Sequence, residues 1–236
     1  MVIKKNQKLE CENCSSLMKG IFCKVSDSTL QDVSKQKVTN VFKKGQSLFI
    51  EGAHPQGIFC ISNGNIKLTQ QSNDGKETLV RIATNGDVLG HRSLFSDDAY
   101  HATATAIEDT RVCFIDKSFI VDMIETEPTV AMNVIEKLSR SMGKAEHRIS
   151  SMHTMNVRER LADLFIVLKQ SHGINEDGRI RINLRLTREE MATLIGTAQE
   201  TLIRTISEFR EEGILEQDGK VLFIKDLDKL QLISGN

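Results

Sequence analysis

The chain has 236 residues, 39% of them hydrophobic and 27% charged, with a formal net charge of −1. That mixture excludes a disordered or fibrous chain and leaves room for two cores of ordinary size; no apolar run approaches membrane-spanning length. The polar opening MVIKKNQKLE lacks the apolar centre of a secretory signal, so a cytoplasmic protein is expected, and there the five cysteines are expected to be reduced, metal-bound or redox-active rather than paired in structural disulfides.

Residues 1–27 read as a cysteine-containing N-terminal segment, with Cys11 and Cys14 in Cys-x-x-Cys spacing and Cys23 beyond them. Over residues 28–124 the texture changes to short apolar runs, Phe49-Ile50, Ile58 to Ile61, Ile66 to Leu68, Leu79 to Ile82 and Val112 to Ile115, punctuated by Gly45, Gly52, Gly64, Gly75, Gly86 and Gly90. Such spacing predicts an antiparallel sandwich or roll. Cys60 and Cys113 lie in two of its runs, and Cys60 is read as a small apolar filler there.

Residues 125–156 read as a long helix and a hinge. Pro128 suits the first helical turn. Ile135, Leu138, Met142, Ala145, Ile149, Met152 and Asn156 recur in steps of three and four, the seam of a two-stranded coiled coil, so a homodimer is expected. Asn156 with Glu159 then caps a new amphipathic helix carrying Leu161, Leu164, Phe165 and Leu168.

The last part, 157–236, holds the strongest local signals. Arg179 to Leu186 alternates polar and aliphatic residues, as in a half-buried strand, and Arg181, Arg185 and Arg188 are candidates for phosphate contact. Thr187 with Glu190 and Thr197 with Glu200 have the spacing of two successive capping boxes, with Gly196 at the turn between them. The second helix buries Leu202, Ile206 and Phe209 and leaves Gln199, Glu200, Ile203 and Arg204 outward. That set suits a major groove: Glu accepts from a cytosine amino group, Arg forks onto guanine, and an aliphatic side chain meets a thymine methyl. Asp218-Gly219 between two apolar runs predicts a hairpin wing. The region carries 12 Lys+Arg against 14 Asp+Glu, so it is not basic in bulk, and local placement must attract the double-stranded DNA.

The order of these parts resembles the Crp/Fnr family of bacterial transcription regulators. The resemblance is carried by KKGQSLFIEG (Lys43 to Gly52), IFCISNGNIKL (Ile58 to Leu68), GDVLGHRSLF (Gly86 to Phe95), the long helix and the ETLIR core of the recognition helix. It implies an α+β chain: an N-terminal cyclic-nucleotide-binding-like beta roll (jelly roll) that senses an effector, a dimerisation helix, and a C-terminal winged helix-turn-helix that binds promoter DNA and contacts RNA polymerase. Cyclic AMP binders of the family hold the ribose with Glu and the phosphate with an adjacent Arg-Ser pair; His91, His101 and Ala102 stand there in this chain. An imidazole and a methyl do not replace a bidentate guanidinium and a hydroxyl, so cyclic AMP is not the expected effector. Arg92 for some other anion and Tyr100 as a lining ring complete the candidate pocket with His91 and His101.

Resemblance to the oxygen-sensing members implies that Cys11, Cys14, Cys23 and Cys113 hold an iron–sulfur cluster, although eight residues separate Cys14 from Cys23 here against five in those members. A tetrahedral zinc site, or no metal, with Cys23 and Cys113 packed as apolar groups, remains open. A catalytic thiol would need Cys, His and an acid converging, and a lone Cys-x-x-Cys outside a βαβ unit does not supply that; no enzyme is expected. The rival reading is a dimeric ligand-binding module with another small-molecule effector.

Overall fold

The computed structural model describes residues 11–72, 75 and 77–235; of the N-terminal segment expected at 1–27, residues 1–10 lie outside the described residues. The chain divides into two compact units, Met1–Met142 and Gly143–Asn236. Among the described residues, no helix is long and apolar enough to cross a membrane.

In the first unit, two 3-10 turns, Cys11–Asn13 and Leu17–Lys19, lead into α1 (Asp27–Gln36), whose N-cap Ser26 accepts from the Thr29 backbone N–H. Eight strands follow: β1 (Val38–Phe42), β2 (Ser47–Phe49), β3 (Gly57–Asn63), β4 (Ile66–Gln71), β5 (Glu77–Ala83), β6 (Val88–Leu89), β7 (Thr103–Ala106) and β8 (Thr110–Asp116). They form two four-stranded antiparallel sheets, in the orders β1-β8-β3-β6 and β2-β7-β4-β5. Ile61, Ile66, Ala83, Leu89, Ala104 and Ala106 make a small core of the roll, with Phe42, Phe49 and Phe59 against it. A second core gathers Ile21, Phe22, Leu30, Val33, Ile58, Ile115, Ile120 and Val130. It joins the N-terminal turns, α1 and α3 (Lys117–Thr126) to the β3-β8 sheet. A short helix, α2 (His91–Ser96), follows Gly90, whose φ of 82° is left-handed; a Cβ there would sit 3.0 Å from the Gly57 carbonyl oxygen, so glycine permits this close approach.

The long helix is α4 (Pro128–Thr154), and it begins on the expected proline. Leu138 is half-buried against the second core, whereas Ile135, Met142, Ile149 and Met152 are among the large hydrophobics left exposed. Asn156, read as the last position of the seam, lies outside this helix. It is the N-cap of α5 (Val157–His172), where its side chain and that of Glu159 complete a capping box.

The second unit packs α5 against a four-stranded sheet and three further helices. The sheet has the order β11-β12-β10-β9, from β9 (Gly173–Glu176), β10 (Arg179–Ile182), β11 (Leu215–Asp218) and β12 (Val221–Ile224). The strand expected through Leu186 stops at Ile182. Beyond that point Leu184 and Leu186 fold onto the helical core as the chain turns into α6 (Arg188–Ile195). The wing forms as a two-residue hairpin, but Asp218 pairs with Val221, so its tip is Gly219-Lys220, with φ of 55° at the glycine. Leu161, Phe165, Ile195, Leu202, Phe209 and Ile214 anchor the core of this unit, to which α7 (Gln199–Glu211) contributes and which α8 (Leu227–Ser234) closes by packing on α5.

Candidate functional site: a DNA-reading face and a thiol cavity

The helix-turn-helix is built from local chemistry. At the start of α6, the Glu190 backbone N–H donates to Thr187 Oγ1 at 3.1 Å and the Thr187 N–H donates to Glu190 Oε2 at 2.8 Å, so the first box forms as its spacing implies. Gly196 ends the helix with φ 63°, ψ 53°, a conformation that costs glycine little. The second box does not form. Helix α7 starts one residue later than the Thr197–Glu200 spacing requires: Ala198 is the N-cap, without a side-chain cap, and Glu200 lies in the first turn, where a negative charge favours the helix dipole.

Helix α7 buries Leu202, Thr205, Ile206 and Phe209 and leaves Gln199, Glu200, Ile203 and Arg204 exposed on one face. Arg204 is extended, its side chain 74% exposed, with Nε 3.9 Å from Glu208. The flanking arginines differ from one another. Arg181 Nε pairs with Glu176 at 2.9 Å, and Arg179 pairs with Glu216 while lying over the Phe223 ring. Arg188 Nη2 donates to Gln217 at 2.8 Å, and Arg185 is exposed. The face expected to meet phosphates is thus partly engaged by its own acids.

Sequence reasoning missed the arginines that hold the turn from behind. Arg160 on α5 donates from Nε to the Ile195 carbonyl at 2.7 Å and from Nη1 to the Met155 carbonyl, and Arg148 near the end of α4 donates to the Thr193 carbonyl at 3.2 Å. These carbonyls belong to a helix end and a hinge, where backbone acceptors lack helical partners. No sequence period marks such residues; only the fold brings them there.

In the first unit, one small apolar cavity is lined by Cys11, Cys14, Cys60 and Cys113, together with Lys37. Lys37 is buried, and its Nζ lies 3.1 Å from Cys11 Sγ; Thr39 Oγ1 lies 3.6 Å from Cys113 Sγ. Cys60 and Cys113 are register partners across β3 and β8. Burial pushes both of their thiols up, the neighbouring cysteines adding to the effect, while the Thr39 hydrogen bond pulls Cys113 back. Cys23 is not on the cavity wall; its carbonyl accepts from Asn133 Nδ2 of α4 at 2.8 Å. Of the expected quartet, Cys11, Cys14 and Cys113 therefore share the cavity with Cys60, and Cys23 lies off its wall. Among the described residues, no three such side chains are already gathered in ligand geometry, so a bound metal would have to draw the sulfurs together.

The four positions expected to form an effector pocket divide by exposure. His91 is buried with neither ring nitrogen hydrogen-bonded, and burial, then Arg81, Arg92 and Lys137, bring its pKa down to about 4. Tyr100 is buried and stacks on Phe49 at 3.9 Å. Arg92 and His101 face solvent, His101 at 3.9 Å from Asp98.

A beta roll followed by a long helix and a winged helix-turn-helix defines a class: transcription regulators that sense a signal in one domain and bind DNA with another, rather than enzymes. Residues 39–127 match the cyclic nucleotide-binding domain and residues 159–233 the Crp-like helix-turn-helix domain. The chain is 28% identical over 211 residues to the CRP-like cAMP-activated global transcriptional regulator of Mycobacterium tuberculosis, covering 89% of this chain and 94% of that protein. It is 26% identical to electron transport regulator A of Shewanella oneidensis, covering 88% and 82%. A CRP/FNR-family regulator of Thermus thermophilus has the same fold, with a TM-score of 0.72 at 21% identity over 84% of this chain and 99% of that one. The chain belongs to the Crp/Fnr family of transcription regulators.

Proposed function

We propose that this regulator works in the cytoplasm as a homodimer that binds promoter DNA as an inverted repeat, contacts RNA polymerase there, and responds to redox state at the thiol cavity rather than to cyclic AMP. The observation that carries the DNA reading is the exposed row Gln199, Glu200, Ile203 and Arg204 on a helix whose opposite face is fully buried. Two such helices on a two-fold dimer read two half-sites. The exposed apolar stripe of α4 supports the dimer, since Ile135, Met142 and Ile149 each leave more than half of their surface to water.

Two observations support a signal other than cyclic AMP, the effector named for the mycobacterial relative. His101 and Ala102 offer no guanidinium at the position of the phosphate clamp. The cavity instead collects soft sulfur donors, which select iron–sulfur clusters or zinc over hard cations. An iron–sulfur group bound there would supply oxygen sensitivity. This chain's part is to hold it against β3 and β8 and to pass the state of the N-terminal segment to α4 through Asn133, which grips the Ile21 and Cys23 carbonyls at 2.9 and 2.8 Å.

The test is a gel-shift titration of anaerobically purified protein on duplexes carrying an inverted repeat of TTGA and TCAA half-sites, chosen to offer a G·C pair to Glu200 and Arg204 and thymine methyls to Ile203, with and without cyclic AMP and before and after exposure to air. Specific binding that is lost in air and indifferent to cyclic AMP is expected. Tight binding that requires cyclic AMP overturns the redox reading, and failure to discriminate the repeat from random duplex overturns the DNA reading.

A further inference from the structure

We infer that Cys60, and not Cys23, completes with Cys11, Cys14 and Cys113 a four-thiolate site for a thiophilic metal, either a single tetrahedral ion such as zinc or an iron–sulfur cluster. The inference rests on the thiol-cavity reading above and departs from the ligand set that resemblance to the oxygen-sensing members implies.

The argument starts from strand pairing. Cys60 lies opposite Cys113 in the antiparallel β3-β8 ladder, and directly opposed residues project to the same face of a sheet with Cβ atoms about 4.5–5.5 Å apart. Two sulfurs are thereby held at a separation that one metal ion, or one edge of a cluster, bridges with small side-chain rotations. The other pair comes from a Cys-x-x-Cys turn. The Cys14 backbone N–H donates to the Cys11 carbonyl at 3.0 Å, and this turn is tied at one end to α1 and at the other to β3. The Cys11 N–H donates to Ser34 Oγ at 2.8 Å, and Ser16 Oγ donates to the Ser62 carbonyl, two residues past Cys60, also at 2.8 Å. A rigid sheet pair and a turn pair facing each other across one cavity form the two halves of a tetrathiolate site.

Charge points the same way. Four thiolates around a divalent ion carry a net double negative charge, which is costly in an apolar cavity unless cations stand near. Lys37 is buried with its ammonium 3.1 Å from Cys11 Sγ, a placement hard to account for beside four neutral thiols. Cys23 has a different task. Its carbonyl is tied to Asn133 on α4, and its side chain is not part of the cavity wall.

The full-length protein, purified anaerobically and stripped of metal, is titrated in parallel with zinc, with cobalt(II), and with ferrous iron plus sulfide. Metal and sulfide are counted per protomer, and cobalt-thiolate charge-transfer absorption reports the number of sulfur ligands. Wild type and Cys23→Ala are expected to bind one centre with the same intensity. Cys60→Ala is expected to lose about a quarter of the cobalt-thiolate absorption and at least about tenfold in affinity, a loss like that from disturbing a metal's supporting shell. Cys60→Ser, with circular dichroism and a metal-free thermal melt matching wild type, guards against misfolding. If wild type binds no metal in any arm, the thiol-cavity reading falls and this assignment with it. If wild type binds but Cys23→Ala loses the centre while Cys60→Ala keeps it, or the two variants behave alike, only the assignment of Cys60 is overturned.

Discussion

Within the outward row Gln199, Glu200, Ile203 and Arg204, Arg204 has the chemistry to fork onto guanine, and its contact with Glu208 at 3.9 Å is loose enough to release on binding DNA. Arg204→Ala is expected to cost about 1–3 kcal/mol per half-site and to relax the preference at a single G·C pair; selection from randomised duplexes checks it, and an unchanged motif removes Arg204 as a base reader. His91 gives a second residue-level test. Its folded pKa, about 4, lies below the ordinary 6.5, so as pH falls below 6.5 the unfolded chain takes up a proton that the folded one refuses. Stability contributed by the neutral, buried ring is therefore full above pH 6.5, declines through the acid range and levels off below about pH 4, a loss on the order of 3 kcal/mol. Urea midpoints measured across that range should fall less steeply for His91→Asn than for wild type; parallel slopes would mean that the ring is hydrated or already protonated.

Single elements were legible wherever their signal was local. The Asn156–Glu159 and Thr187–Glu190 boxes, Pro128 and the wing each depend on residues within a few positions of one another, and each forms. The Thr197–Glu200 box had the same spacing and did not form, because the entry to α7 falls one residue later, at Ala198. Thr187→Ala should accordingly cost about 1 kcal/mol, and Thr197→Ala only a few tenths; equal losses in thermal melts would contradict this account of the two helix starts. What one sequence hides is register. Cys60 and Cys113 face each other because β3 pairs with β8 far along the chain, and Arg160 reaches Ile195 only after the core of the second unit has closed. For α4, replacing both Met142 and Ile149 by Glu should leave each protomer folded, since both side chains face water in the protomer, and should convert the proposed dimer to monomer by placing like charges at the seam. Analytical ultracentrifugation reads this, and a double variant that sediments with the wild-type dimer places the interface elsewhere.

At the scale of the whole molecule, the DNA-binding region carries 12 basic against 14 acidic side chains, so attraction to a polyanion rests on where the charges sit. With Arg181 and Arg179 engaged by Glu176 and Glu216, fewer free cations than the count suggests are available for phosphates. The dependence of affinity on salt is expected to be shallow, a slope corresponding to about 2–4 released counterions per half-site; a slope twice as steep would show that those ion pairs open on DNA. Arg160, by contrast, ties the hinge carbonyl of Met155 to the end of α6, and Arg160→Ala should lower the stability of this unit by about 2 kcal/mol, read as a shift of its denaturant midpoint.

The bare apolar stripe on α4 also has a consequence for dosage. If the proposed dimer is the working form, a protomer whose Ile135, Met142 and Ile149 stand in water reaches it only by meeting a second copy. When most of the protein is monomeric, dimer abundance rises with the square of the amount synthesised. Halving expression then removes about three quarters of the molecules able to occupy a two-fold site, so target genes respond to the level of the regulator more steeply than its concentration alone would dictate. Strengthening the seam would flatten that response without touching a single residue that reads DNA.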